Sequence, residues 1–88
     1  MIGTKVKLPW GRATVEEEAT VAGSSGAMEL GVARLSGDDG EQLLRFFYRS
    51  DGRIVRGPLT LRPGEVAALA LELRKLPELR KLVAGLGR

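Results

Sequence analysis

The chemistry this chain could do is concentrated in Arg45, Phe47, Arg49 and Arg56, four residues on either side of an Asp51-Gly52 pair. Asp-Gly favours a tight turn with positive φ at both central positions, so Leu43 to Arg49 and Arg53 to Leu61 are expected to pair as a β-hairpin. With Ser50 opposite Arg53, alternation puts Arg45, Phe47 and Arg49 on one face with Ile54, Arg56 and Thr60. Leu44, Phe46 and Tyr48 share the other with Val55, Gly57 and Leu59. One face reads as basic and open, the other as apolar. Phe47, across from Arg56 and flanked by Arg45 and Arg49, then offers a ring on which an unpaired base stacks while guanidiniums neutralise phosphates, with Arg53 beside the turn. Phe46 and Tyr48 belong by register to the core, although Tyr48 lies beside the turn, where strand twist can bring it to a sheet edge.

Composition limits what else is available. The 88 residues contain no cysteine and no histidine, which removes disulfides, thiol nucleophiles, thiolate metal sites and the commonest general base. No carboxylate, lysine or tyrosine falls into a recognisable acid-base pair, and the reading is of a protein without catalytic residues, cofactor or metal. The N-terminus lacks the apolar run of a signal peptide and no window resembles a membrane span, so a soluble, cytoplasmic protein is expected, nucleoid-associated in a prokaryote. Charge is uneven. Residues 1 to 44 hold four basic groups and seven acids, while residues 45 to 88 hold ten basic groups and four acids, so the net +3 is the sum of -3 and +6. Such asymmetry points to a surface that meets a polyanion.

The elements that must position these residues are short. Thr4 to Leu8 reads as a strand before a turn at Pro9, Trp10 and Gly11, with Trp10 a packing lid. Ala13 to Val21 alternates as a half-buried strand does, although Thr14 with Glu17 would also serve as a capping box. Gly23 to Gly26 reads as a turn, Ala27 to Leu35 as a strand, Ser36 to Gly40 as a loop and Glu41 to Arg49 as the next strand. Residues 1 to 26 form an N-terminal strand or hairpin extension to a binding unit over 27 to 88, within one compact domain. The acidic run Glu16, Glu17 and Glu18 has no metal-ligand spacing and reads as solvated. Gly23 to Gly26 lacks the lysine and helix of a phosphate loop.

Pro63 opens a helix with Glu65 in its first turn. Val66, Leu69, Leu73 and Leu76 form a stripe that can cover the apolar sheet face, and Ala67, Ala68, Ala70 and Leu71 widen it until little of the helix is polar. A chain this size has few elements left to bury the second side, so a second copy is expected there. Pro77 ends or kinks the helix, and Leu79, Leu82, Val83 and Leu86 continue a shorter amphipathic turn. Lys75, Arg80 and Lys81 complement the helix dipole.

From Met28 onward the order of elements resembles the single-stranded DNA-binding domain of the transcriptional positive cofactor four family. The resemblance covers about two thirds of the chain. It rests on Val32-Ala33-Arg34 ending one strand, Leu44-Arg45-Phe46-Phe47-Tyr48 in the next, and the Asp51-Gly52 turn. Arg56-Gly57-Pro58, Leu59-Thr60-Leu61, a proline at the helix start and Leu79-Arg80-Lys81-Leu82 complete the series. It implies an α+β fold: a curved antiparallel sheet of four to five strands followed by a C-terminal helix, dimerising through the helix, with single-stranded DNA across the strands of both subunits. Arg34, Arg45, Tyr48 and Arg56 match the family's basic and aromatic contacts, and Leu69, Leu73, Leu76 and Leu79 would face the second copy. Three departures stand out: Gly37-Asp38-Asp39-Gly40 where the family tends to be basic and aromatic, Gly57-Pro58 in place of lysine-glycine, and the acidic segment up to Gly26. The purine-rich-element binding family shares the strand-then-helix plan.

The expectation is a homodimer that binds single-stranded DNA or RNA with little sequence preference, in transcription or DNA maintenance. The alternative is a dimeric adaptor that binds RNA polymerase or another part of the transcription machinery. Glu16, Glu18 and Glu29 decide between them: lying away from the arginines they leave a nucleic acid surface, and lying over them they neutralise it.

Overall fold

The computed structural model describes residues 2–23 and 28–87, without the side chain of Arg56. Five strands follow one another as an antiparallel meander: β1 (Lys5–Leu8), β2 (Gly11–Ala22), β3 (Glu29–Gly37), β4 (Gln42–Ser50) and β5 (Arg53–Leu61). Two short helices follow, α1 (Pro63–Leu73) and α2 (Pro77–Ala84), then a single 3-10 turn, Gly85–Gly87. The fold is thus the expected α+β arrangement, a curled half-barrel sheet with helices behind it in sequence. Residues 24–27, which hold most of the expected turn over Gly23 to Gly26 and the expected strand start at Ala27, lie outside the described residues, while the Gly23 N–H donates to the Met28 carbonyl at 2.6 Å. No described helix is long and apolar enough to cross a membrane.

Backbone chemistry sets the boundaries. Asp51 and Gly52 have φ of 52° and 75°, the two positive values that the tight turn demands, and Ser50 pairs with Arg53 as the register predicts. Pro9 and Trp10 turn β1 into β2, with Leu8 opposite Gly11. Between Leu73 and Pro77 the helix breaks, since proline has no N–H to continue the ladder. The α1 start is closed by Glu65, whose carboxylate accepts the Arg62 backbone N–H at 2.8 Å.

Two irregularities redistribute the faces. In β2 the register shifts between Val15 and Glu17, so Ala13 and Val15 face inward while Ala19 and Val21, opposite Val32 and Leu30, face outward. The simple alternation across Ala13 to Val21 is interrupted by a bulge at Glu16. In β5 the pairing moves from Tyr48 with Val55 to Phe46 with Leu59, leaving Arg56, Gly57 and Pro58 as a bulge beside Phe47. Phe47 therefore does not stand across from Arg56 as the uninterrupted hairpin predicts.

The core lies inside the curl. It consists of Leu8, Ala13, Val15, Ala33, Leu35, Leu43 and Phe47, with Val6 packed against it. This reverses the expected assignment of faces. The face carrying Arg45, Phe47 and Arg49 is the buried one, and the face carrying Phe46 and Tyr48 is turned outward, with Tyr48 48% exposed. Small residues explain the choice. Gly31 pairs with Phe47, and the ring occupies the space where any side chain at 31 would stand. Ala13 and Ala33 are likewise thin enough for a single sheet to close on itself.

The helices do not cover the sheet within one chain. No helical residue is buried. A gap of about 510 Å³ separates Pro63, Val66, Ala67 and Ala70 of α1 from Arg34, Gln42 and Leu44 on the outer face. Leu69, Leu71, Leu76, Leu79, Leu82, Val83 and Leu86 are exposed, and so are Val21, Leu30 and Leu59 on the sheet.

Candidate nucleic-acid interface

The residues expected to form one basic aromatic surface are divided between two faces. On the inner face, Phe47 is 6% exposed and unavailable to a base. Arg49 lies over its ring at 4.8 Å from the centroid and donates through both terminal nitrogens to Glu18, at 2.7 and 3.2 Å. The two side chains are only 13% and 15% exposed, so this fork is largely out of water. It holds the Glu18 carboxyl below its usual range and raises the pKa of Arg49. Glu29, opposite Arg49 on β3, adds to the field there. Arg45 is 8% exposed on the same face, and burial lowers its pKa.

The outer face carries what is open. Tyr48 borders a shallow hollow of about 270 Å³ lined with Leu30, Phe46, Val55, Gly57 and Leu59. Arg53, two residues before Val55 and so on the same side of β5, is exposed at the hairpin end and has no ion-pair partner among the described residues. Arg34 is half exposed on this face. Its Nε donates to Glu17 at 2.8 Å and its Nη1 to Gln42 at 2.6 Å. An exposed pair of this kind contributes little and exchanges readily for another anion, unlike the enclosed Arg49–Glu18 fork.

The three consecutive glutamates thus meet three environments. Glu16 is exposed on the bulge, Glu17 pairs outward with Arg34 and Glu18 pairs inward with Arg49. Of the three acids that decide between the two readings, Glu18 and Glu29 lie by Arg49 and partly neutralise the arginine face, while Glu16 is exposed on the bulge. No cluster of carboxylates among the described residues suits a metal ion. Sequence reasoning passed over Arg62, whose guanidinium stacks on Trp10 at 4.9 Å and donates to Glu41 at 2.9 Å. Trp10 stays 42% exposed, a platform for Arg62 more than a lid on the core. Glu41 raises the pKa of Arg62. The available signal was the position of Arg62 immediately before the helix proline.

Of the residues expected at the interface, Tyr48, Arg53 and Arg34 therefore stand on the open face, while Arg45, Phe47 and Arg49 lie inside the curl and are withdrawn from it. The side chain of Arg56 lies outside what the structure describes. The four candidate dimer residues stand along the helices, with Leu69, Leu76 and Leu79 exposed and Leu73 half-buried. Searches found no protein-family model, no curated protein and no solved structure that matches this chain.

Proposed function

We propose that this chain is a non-catalytic, homodimeric module that holds single-stranded nucleic acid on the outer face of its sheet. The observation that carries the reading is the exposed Tyr48 ring, set in an apolar hollow beside Phe46, with Arg53 at the hairpin end and no ion-pair partner for it among the described residues. A base stacks on such a ring without its edges being read, and the Arg53 guanidinium meets phosphate beside it, while Arg34, opposite Leu44 towards the far end of β4, offers a more distant phosphate contact by giving up its weak hold on Glu17. The series of residues resembling the positive cofactor four domain supports the same reading, with Tyr48 in place of Phe47 as the stacking ring.

The second copy belongs on the helices, where Leu69, Leu76, Leu79 and Leu82 present apolar surface to solvent. The α1 helix approaches the sheet near Leu44, at the opposite end of β4 from Tyr48, so a helix-mediated dimer leaves the hairpin end open. Equal-length single- and double-stranded fluorescent oligonucleotides, titrated at two salt concentrations, test the reading. The single strand should bind more tightly, with log K falling against log salt by about 0.7 per phosphate neutralised. Equal weak binding to both would overturn it.

A protein-interaction module is the second reading, favoured by the Arg49–Glu18 fork, which removes one arginine from competition for phosphate, and by the apolar helices. It predicts a flat oligonucleotide titration together with the same dimer in sedimentation.

A further inference from the structure

Arg45 is a cation largely withdrawn from water, and no described residue answers it. It stands in the middle of β4 between Leu43 and Phe47 on the inner face, opposite Ala33 and Thr60. It is 8% exposed, its Nε is buried without an acceptor, and it makes no hydrogen bond or ion pair with any described residue. Arg49, two residues along the same face, shows the contrasting arrangement, with both oxygens of Glu18 in its fork. A guanidinium does not shed its proton in a protein, so the charge at Arg45 stays. Burial of an unpaired charge is strongly unfavourable, and a water molecule that accepted from Nε would satisfy a donor without neutralising anything.

In front of Arg45 is a hollow of about 440 Å³, lined by Val6, Val15, Ala33, Phe47 and Ile54, with the Arg49–Glu18 ion pair also on its wall, where the Glu18 charge is already answered by Arg49. Its volume falls in the range of small-molecule pockets, roughly 300 to 1,000 Å³, and with Arg49 and Glu18 closed on each other Arg45 is the one lining charge left over on a mostly apolar wall, the pattern such pockets show. A planar fork matches a carboxylate with two parallel hydrogen bonds, and the aliphatic and aromatic walls ask for hydrocarbon.

We propose that the hollow binds a small organic carboxylate with an apolar body, the carboxylate on Arg45 and the hydrocarbon against Val6, Val15, Phe47 and Ile54. The site lies on the other face of the sheet from the Tyr48 surface and does not depend on the function proposed for it.

Calorimetric titration with octanoate below its micelle concentration tests this, with 1-octanol, inorganic phosphate and a short single-stranded oligonucleotide as comparisons. Octanoate should saturate at one molecule per chain, and octanol and phosphate should bind weaker by about tenfold or more, as expected when one charge-assisted pair or the apolar contact is lost. Arg45→Met should lose octanoate by a similar factor while melting at a higher temperature than the wild type without ligand, because the uncompensated charge has gone. Should Arg45→Met not fold, Arg45→Lys keeps the charge without the fork and should weaken octanoate. On the unaltered chain, amide shifts caused by octanoate should centre on Val15, Ala33, Phe47 and Ile54. Failure of octanoate to saturate, equal affinity in an Arg45 variant, shifts centred elsewhere, or competition by the oligonucleotide would each overturn the proposal.

Discussion

The two faces of β4 differ by one residue of phase and by almost everything else. Leu43, Arg45, Phe47 and Arg49 look into the curl, where the ring is packed on Gly31 and one arginine is locked to Glu18. Leu44, Phe46 and Tyr48 look outward, half-buried or exposed. By hydrophobicity the second set is the better core. The sheet nevertheless closes over the first, because closure depends on what stands opposite. Glycine and alanine on β2 and β3 leave room for Phe47, whereas Leu30 and Val32 opposite Tyr48 and Phe46 fill the outer face. A single curled sheet selects its inner face by thinness as much as by apolarity.

Substitutions that treat the adjacent rings alike should therefore give unlike results. Phe47→Ala should cost about 3 to 5 kcal/mol in urea unfolding, the usual loss for a buried ring. A cost near that of Tyr48→Ala would mean the two faces are not distinguished. Gly31→Ala places a methyl group inside the Phe47 ring and should lose about 1 to 3 kcal/mol, although alanine is otherwise the better strand residue. No loss would place the ring elsewhere.

Glu18→Gln removes the charge from the enclosed fork and should cost about 1.5 to 3 kcal/mol at neutral pH, the range for hydrogen bonds to charged groups. Because folding lowers the Glu18 pKa, its contribution is present above the ordinary carboxylate value of 4.5 and is lost as pH falls through the lower folded value. The wild type and Glu18→Gln should accordingly converge in stability in acid, which paired pH-dependent melts would show. The mildest change in stability is expected from Tyr48→Ala, within about 1 kcal/mol. The same variant should weaken single-stranded oligonucleotide binding, since stacking contributes about 1 to 3 kcal/mol per base. Unchanged affinity would remove Tyr48 from the interface.

Much of the fold was legible because local rules wrote it. The Asp51-Gly52 hairpin, its register at the turn, Pro63 at the start of α1 and the break of that helix at Pro77 follow from backbone preferences over a few residues, and the strand character of β2 from the alternation of its side chains. The fate of the rings was not legible. Register and parity sorted Phe46, Phe47 and Tyr48 correctly into two sets, yet which set goes inside depends on Gly31, Ala33 and Ala13, which stand far away in sequence. The bulges at Glu16 and at Arg56 to Pro58 were also hidden, since no single residue type commands a bulge. Arg34 and Arg49 look equivalent in a charge count, and only the register of β2 reveals that one meets an exposed carboxylate and the other an enclosed one.

Every strand pairs with its chain neighbour, so the sheet can grow by successive hairpins with short loops to close. The contact of Arg62 with Trp10 is of another kind, joining the residue after the last strand to the turn between the first two. Such a tie can form only once the meander has curled round, which makes it a latch on the closed sheet, holding the end of the last strand to the first turn.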